Sequence, residues 1–400
     1  MAPLQEAQPK QVSDAELVAR ARAIAPELRE RIAVAERLRR LPDENVAALR
    51  QAGLLKVLQP HRYGGHQASL RTHIDVVAEL ARGCASTGWC AGVVHAHSWL
   101  MSLFPRQAQE DSFGADPEAM ISAVISPRGT ARRVKDGFIL SGFWAFCSGS
   151  EHAQWLLLGG AVQDDSGAPI DEGDFLVPSS AVTIKDDWNV IGLRGTGSCG
   201  IVAKDVFVPE HRYLSLPLAI AGRAPGAGLH DGGLYRSALV PVLALAITPA
   251  ALGAAEAALD AFNARLPGRE LAYTQREIQI EMPVTHMQVA DAATRIATAR
   301  LVLYHCADEI AWAAERNETM DFTKRARVRM DCAWAVRLCL EGVEILMLAS
   351  GGSGIGDTNA VQRAWRDLHA INMHGLLNLQ TNQEMYGRVL LNLQPNTPLI

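Results

Sequence analysis

The hydrophobic period of this 400-residue chain changes twice, and the order of those changes limits what it can fold into. Over residues 14–114 apolar residues recur three and four apart in Ala-rich segments, the spacing of helices with one buried face. Pro42-Asp-Glu-Asn-Val-Ala-Ala-Leu opens a short helix there, and Gly53 ends it. From about 120 to 216 the texture becomes short β-rich runs, such as Phe138-Ile-Leu-Ser, Trp155-Leu-Leu-Leu and 201–208. Turn signals at Pro127-Arg-Gly, Lys135-Asp-Gly, Asp164-Asp-Ser-Gly and Val208-Pro separate them, so the segment predicts an antiparallel β domain. A Gly/Pro-rich linker at 221–228 follows. Helical spacing then returns at 239–266, 276–316, 321–348 and 359–390, four segments that predict an antiparallel bundle. The expected protein is α+β, with a helical domain at 1–118, a β domain at 119–220 and a helical bundle at 221–400.

With 48% hydrophobic and 20% charged residues, such a chain can bury a large core. A net charge of −5 leaves no basic stripe for nucleic acid and no polybasic membrane anchor. The first ten residues lack the apolar core of a signal peptide, which predicts a cytoplasmic protein. Cysteines 84, 90, 147, 199, 306, 332 and 339 form no CxxC pair and have apolar neighbours, so they read as reduced and buried, with no metal site. The apolar run at 238–255 is broken by Pro241 and Pro249 and reads as a central buried helix, with no membrane span expected.

Four segments carry possible chemistry. In Gly88-Trp89-Cys-Ala-Gly-Val-Val-His95-Ala-His97-Ser-Trp99, histidines two apart point to nearly opposite sides of a helix. They cannot clamp one metal; His95 reads as a packing residue, and a hydrogen-bonded core residue is the lesser alternative for His97. In Gly142-Phe-Trp144-Ala-Phe-Cys-Ser148-Gly149, the serine–glycine pair reads first as a turn between strands. In Gly192-Leu193-Arg194-Gly195-Thr196-Gly197-Ser198, the glycines permit close backbone approach, and Arg194, Thr196 and Ser198 suit either a turn or a phosphate contact. No strand–GxGxxG–helix occurs, so no bound nicotinamide is expected. Gly351-Gly352 ends one helix and Asp357-Thr-Asn starts the next. The last segment is Arg363-Ala-Trp-Arg366-Asp367-Leu-His369-Ala-Ile-Asn-Met-His374-Gly375. There Arg363 and Asp367 are spaced as a helix-surface pair, Asp367 and His374 share a face, and His369 lies about 140° from His374.

In this order, the segments resemble the oxygenase components of two-component flavin-dependent monooxygenases. These include the 4-hydroxyphenylacetate hydroxylase, steroid-ring phenol hydroxylase and dibenzothiophene monooxygenase types, which share the acyl-CoA dehydrogenase fold. In the dehydrogenases, Arg-Asp is followed by a tyrosine and a catalytic glutamate. Counting from Arg366-Asp367, those positions fall on His374 and Gly375, so the proton-abstracting carboxylate is missing.

The resemblance implies an enzyme that takes reduced flavin (FMNH2 or FADH2) and O2 and hydroxylates a small phenolic or indolic aromatic through a C4a-hydroperoxyflavin. It implies catalytic roles for His97, Ser148 and His374, with Ser148 at flavin N5, His97 on the substrate hydroxyl and His374 as proton donor. Cofactor contacts would come from Trp89, Trp144 as aromatic wall, Arg194, Thr196, Ser198, Gly351 and Gly352; Ser122 and Trp99 would line the substrate side. Only one of His369 and His374 is expected to face the flavin, and the register favours His374. A separate NAD(P)H:flavin reductase and a homotetramer are implied as partners. Competing readings are a sulfur- or nitrogen-oxidising monooxygenase of the same fold, an acyl-CoA dehydrogenase with a displaced base, and a flavin-binding homologue without turnover.

Overall fold

The computed structural model describes residues 12–400. Its N-terminal part is helical: α1 (Asp14–Glu30), α2 (Ile32–Leu38), α3 (Asp43–Gln51), α4 (Leu70–Gly83), α5 (Ala85–Met101) and α6 (Arg106–Gln109). Ser13 caps α1 and Ser69 caps α4, each side chain accepting a backbone N–H of the first turn. Helix α5 is buried along its whole length, which follows from its lack of any charged side chain.

The middle of the chain is a seven-stranded sheet of β1 (Ile121–Val134), β2 (Gly137–Cys147), β3 (Trp155–Gln163), β4 (Pro169–Pro178), β5 (Thr183–Ile184), β6 (Cys199–Pro209) and β7 (Tyr213–Ser215). The strand order is β5-β6-β2-β1-β3-β4-β7. Two expectations change here. The central pair β1·β3 is parallel, while the other pairs are antiparallel. Pro127-Arg-Gly is not a turn between strands: it lies inside β1, where the register with β3 shifts between Val124 and Gly129. A strand can carry proline at such an irregularity because no ladder hydrogen bond is asked of it there.

A short α7 (Leu216–Ile220) leads through the linker into α8 (Leu239–Ile247), α9 (Pro249–Arg265), α10 (Pro283–Glu315), α11 (Phe322–Ala349), α12 (Ala360–Asn372) and α13 (Leu379–Leu390). The apolar run forms α8 and the start of α9, buried among α4, α5 and α11. Helix α10 starts at Pro283 rather than at 276. The expected helix at 359–390 is two helices, α12 and α13, separated by a turn at 373–378. In that turn Leu377 N–H donates to His374 O at 2.8 Å, and Asn378 then caps α13 by accepting from Thr381 N–H at 3.1 Å. All seven cysteines are buried and unpaired.

Candidate active site

Helix α5, the sheet and the α12–α13 turn meet around one cavity of about 1280 Å³. That exceeds the ~300–1,000 Å³ of a typical small-molecule site and leaves room for a three-ring cofactor beside a second aromatic. Trp89, Val93, Ala96 and His97 line it from one face of α5, at the 4-3-1 spacing of a helical stripe. His95 faces the other way. Its Nδ1 lies 3.1 Å from His73 Nδ1, and its Nε2 lies 2.6 Å from Leu54 O, so it joins α5 to α4.

Ser148 sits where β2 ends. Ser122 Oγ donates to Ser148 O at 2.8 Å, and Gly149, with φ +71°, turns the chain so that its N–H meets Thr196 O. Around the Ser148 hydroxyl runs a chain of hydrogen bonds whose polarity is fixed at both ends. Trp89 Nε1–H can only donate, and it donates to Ser148 Oγ at 3.0 Å. Thr196 Oγ1 donates to Leu193 O at 2.9 Å. The two links between them, Ser148–Ser198 and Ser198–Thr196, are each 2.7 Å. With the threonine hydrogen committed, Ser198 must donate to Thr196, and Ser148 must donate to Ser198. Ser148 Oγ therefore retains one lone pair and presents an acceptor to the cavity.

The two histidines nearest it have opposite polarity. His97 Nδ1 lies 3.1 Å from Ile121 O and donates to it, which leaves Nε2 as an acceptor in the neutral ring. Burial lowers the His97 pKa to about 4, so the ring is neutral near pH 7. His374 Nδ1 instead accepts from Leu376 N–H at 3.3 Å, which places the ring hydrogen on Nε2. His374 is exposed on the turn, with its ring on the cavity wall and edge-on to Trp89 at 5.6 Å. Desolvation there, with the charge of Arg329 adding to it, lowers its pKa to about 4 as well. The site thus offers acceptors at Ser148 and His97 and a donor at His374.

Several expected site residues lie elsewhere. Trp144 is fully buried inside the sheet, packed on Gly129 and Gly142, with Nε1 donating to Gly159 O at 2.7 Å. A Cβ at Gly129 would come within 2.2 Å of its ring. Phe143, Phe146 and Trp188 are the aromatic residues on the sheet side of the cavity, because the β2·β6 register shifts between Trp144 and Cys147. Trp99 is in the helical core, bonded to Leu234 O at 2.8 Å, and does not line the cavity. Ser122 holds the Ser148 backbone rather than a ligand. Arg194 turns back on Val190 O, and Thr196 acts through Ser198. Gly351 and Gly352 are exposed, outside this chain's cavity, beside Ser353, which accepts from Arg265 and Arg269.

The α12 expectations also change. Arg363 does not pair with Asp367; Arg363 and Arg366 both reach Glu36 of α2. Asp367 is buried and accepts Leu193 N–H at 2.6 Å, and burial raises its pKa to about 6. His369 and His374 both line the cavity, because α12 stops at Asn372 and the turn brings His374 round. Sequence reasoning missed Arg329 of α11, which lines the cavity while only 3% exposed. Its one signal was an arginine one turn from the apolar Ala326, Cys332 and Ala333 of α11.

Residues 14–114 match the family model described as acyl-CoA dehydrogenase, N-terminal domain, and residues 245–379 match its C-terminal domain. The chain is 36% identical over 366 residues to the flavin-dependent monooxygenase oxygenase subunit HsaA of Rhodococcus jostii, covering 91% of this chain and 95% of that protein. It belongs to the oxygenase components of flavin-dependent monooxygenases. A second relative of this oxygenase is the FADH(2)-dependent resorcinol hydroxylase, oxygenase component, of a Rhizobium species, at 34% identity over 391 residues, or 95% of each chain. The crystal structure of 3-HSA hydroxylase from Rhodococcus sp. RHA1 superposes with a TM-score of 0.91 at 34% identity, covering 96% of this chain and 99% of that one. XiaF from a Streptomyces species, solved with FADH2 and glycerol, gives 0.92 at 31% identity, covering 96% and 97%. The oxygenase therefore takes its reduced flavin from a separate reductase component. The cavity fits that cofactor in size, in its aromatic side and in the acceptor at Ser148.

Proposed function

We propose that this oxygenase hydroxylates a small phenolic or indolic ring held between α5 and the α12–α13 turn. The support is the polarity of the three groups: acceptors at Ser148 Oγ and His97 Nε2, and a donor at His374 Nε2. Bound reduced flavin supplies the electrons that activate O2. Ser148 accepts an N–H such as the reduced ring carries at N5, and holds that proton in place. His97 Nε2 accepts the ring hydroxyl or indole hydrogen, which raises electron density on the carbon to be oxidised. His374 offers its Nε2–H as a hydrogen-bond donor to the oxygen side of the site; with its pKa lowered, the neutral ring orients and polarises that oxygen without giving up the proton. Phe143, Phe146 and Trp188 give the sheet side of the site its aromatic surface.

Gly375 puts no side chain in the cavity, and no Asp or Glu lines it among the described residues, so an α-proton has no carboxylate to leave to. We place the enzyme in the cytoplasm as a homotetramer fed by an NAD(P)H:flavin reductase. In that assembly the exposed Gly351-Gly352 turn approaches a neighbouring subunit's cofactor. The deciding experiment supplies reduced flavin, O2 and a panel of phenols and indoles, and measures product formed and hydrogen peroxide released. With His374→Ala and Ser148→Ala, reduced flavin still binds but product per O2 falls by about tenfold or more. Unchanged product yield in both variants would overturn the assignment.

A further inference from the structure

Arg329 is a buried cation without an anion. It projects from α11 to the cavity wall, donates one hydrogen bond to Leu399 O, and has no partner at Nε. No carboxylate lies within ion-pair distance of it among the described residues. The nearby arginines differ: Arg325 caps the chain at Ile400 O, and Arg327 pairs with Asp331 at 2.7 Å. Enclosing a guanidinium without a counter-charge is costly unless something pays that cost when the site is filled.

The rest of the wall does not supply the charge. Among the described residues, those lining the cavity include Arg128 and Arg329 and no Asp or Glu. Arg128 is exposed at the irregularity within β1, at the cavity mouth, whereas Arg329 is buried, sharing the wall with His374 and Leu399. Apolar side chains of α8, Leu239, Leu243 and Ile247, complete that part. The arrangement is an apolar wall with one buried planar cation, which suits a ring bearing a carboxylate. A guanidinium presents parallel N–H donors that match a carboxylate in bidentate fashion.

We propose that Arg329 is a specificity residue that binds the carboxylate of an aromatic-acid substrate, whose ring then lies within reach of His97 and His374. This rests on the monooxygenase reading for the ring's fate, but the binding step is separable from it. The same cation would also suit a phosphate, so the test must tell a substrate carboxylate from a flavin phosphate.

The first measurement is calorimetric titration of the flavin-free protein with aryl acids that lack a hydroxyl, such as phenylacetate and benzoate, and with their methyl esters. The acids are expected to bind at least tenfold more tightly than the esters. In Arg329→Met the acid's Kd rises at least tenfold, while the ester's stays within twofold and the melting temperature does not fall. Arg329→Lys, which keeps the charge but not the fork, recovers part of the loss. Reduced FMN and FAD are titrated against the same variants, and their affinities are expected to stay within twofold. Equal binding of acid and ester by the natural protein overturns the proposal. So does an Arg329→Met effect that falls on flavin rather than acid, which would make the arginine a phosphate holder. Acid selectivity without hydroxylation of any acid would leave Arg329's role standing and sink the monooxygenation of such rings instead.

Discussion

Asp174 of β4 is 1% exposed, and neither carboxyl oxygen has a hydrogen-bond partner. Burial, with Glu172 adding repulsion, raises its pKa to about 8. Between the unfolded value of 3.8 and about 8 the folded chain keeps a proton that the unfolded chain releases, so this residue makes stability fall as pH rises. At about 1.4 kcal/mol per pH unit, the loss by pH 7 is on the order of 4 kcal/mol. Asp174→Leu should therefore raise the melting temperature at pH 7 and remove most of that slope; an unchanged pH profile would mean that a bound water pairs the carboxyl. Trp144→Phe tests the sheet assignment. Losing the bond to Gly159 O should cost about 1–3 kcal/mol in denaturant melts, with product per O2 unaltered. At this scale the sequence was legible where a residue type was itself the signal, as with Ser148, His97 and the Gly375 substitution. It was silent on polarity. The lone pair left on Ser148 depends on Trp89, Ser198 and Thr196, brought from α5 and the loop before β6, and no local spacing encodes that.

Among elements, the loop 188–193 and helix α12 are fastened by two bonds, from Leu193 N–H to Asp367 and from the Arg366 guanidinium to Ile191 O. Asp367→Ala should leave a buried N–H unpaired, cost about 1–3 kcal/mol and loosen the loop that carries Trp188. Asp367→Asn, which keeps an acceptor and resembles the protonated acid, should cost less. Melting curves and flavin affinity of the pair decide it, and equal losses would mean that charge rather than the acceptor matters. The helix broken at 373–378 was hidden because Leu376, Leu377 and Leu379 continue an apolar rhythm past Gly375. The signal that did exist was Asn378, three residues before Thr381, which is cap spacing. Likewise the parallel β1·β3 pair has no local trace, because β2 intervenes between them in the chain and pairs on the far side of β1.

For the whole molecule, the order helical–β–helical was readable from period changes alone, because each part buries its own apolar face. The cavity was not, since it exists only where the three parts meet and borrows walls from each. That meeting place has an electrical character opposite to the protein around it. The chain carries −5 overall, while the cavity wall holds arginines and no acid among the described residues. An anionic guest must cross a repulsive outer field before it reaches an attractive interior. Raising ionic strength from about 0.01 M to about 0.1 M shortens the screening length from ~30 Å to ~10 Å, which removes the outer barrier but barely touches a buried cation. Salt should thus quicken arrival and leave the dwell time nearly alone, as stopped-flow association and dissociation of an aryl acid would record. Slower arrival at higher salt would instead give the mouth, through Arg128, command of the approach.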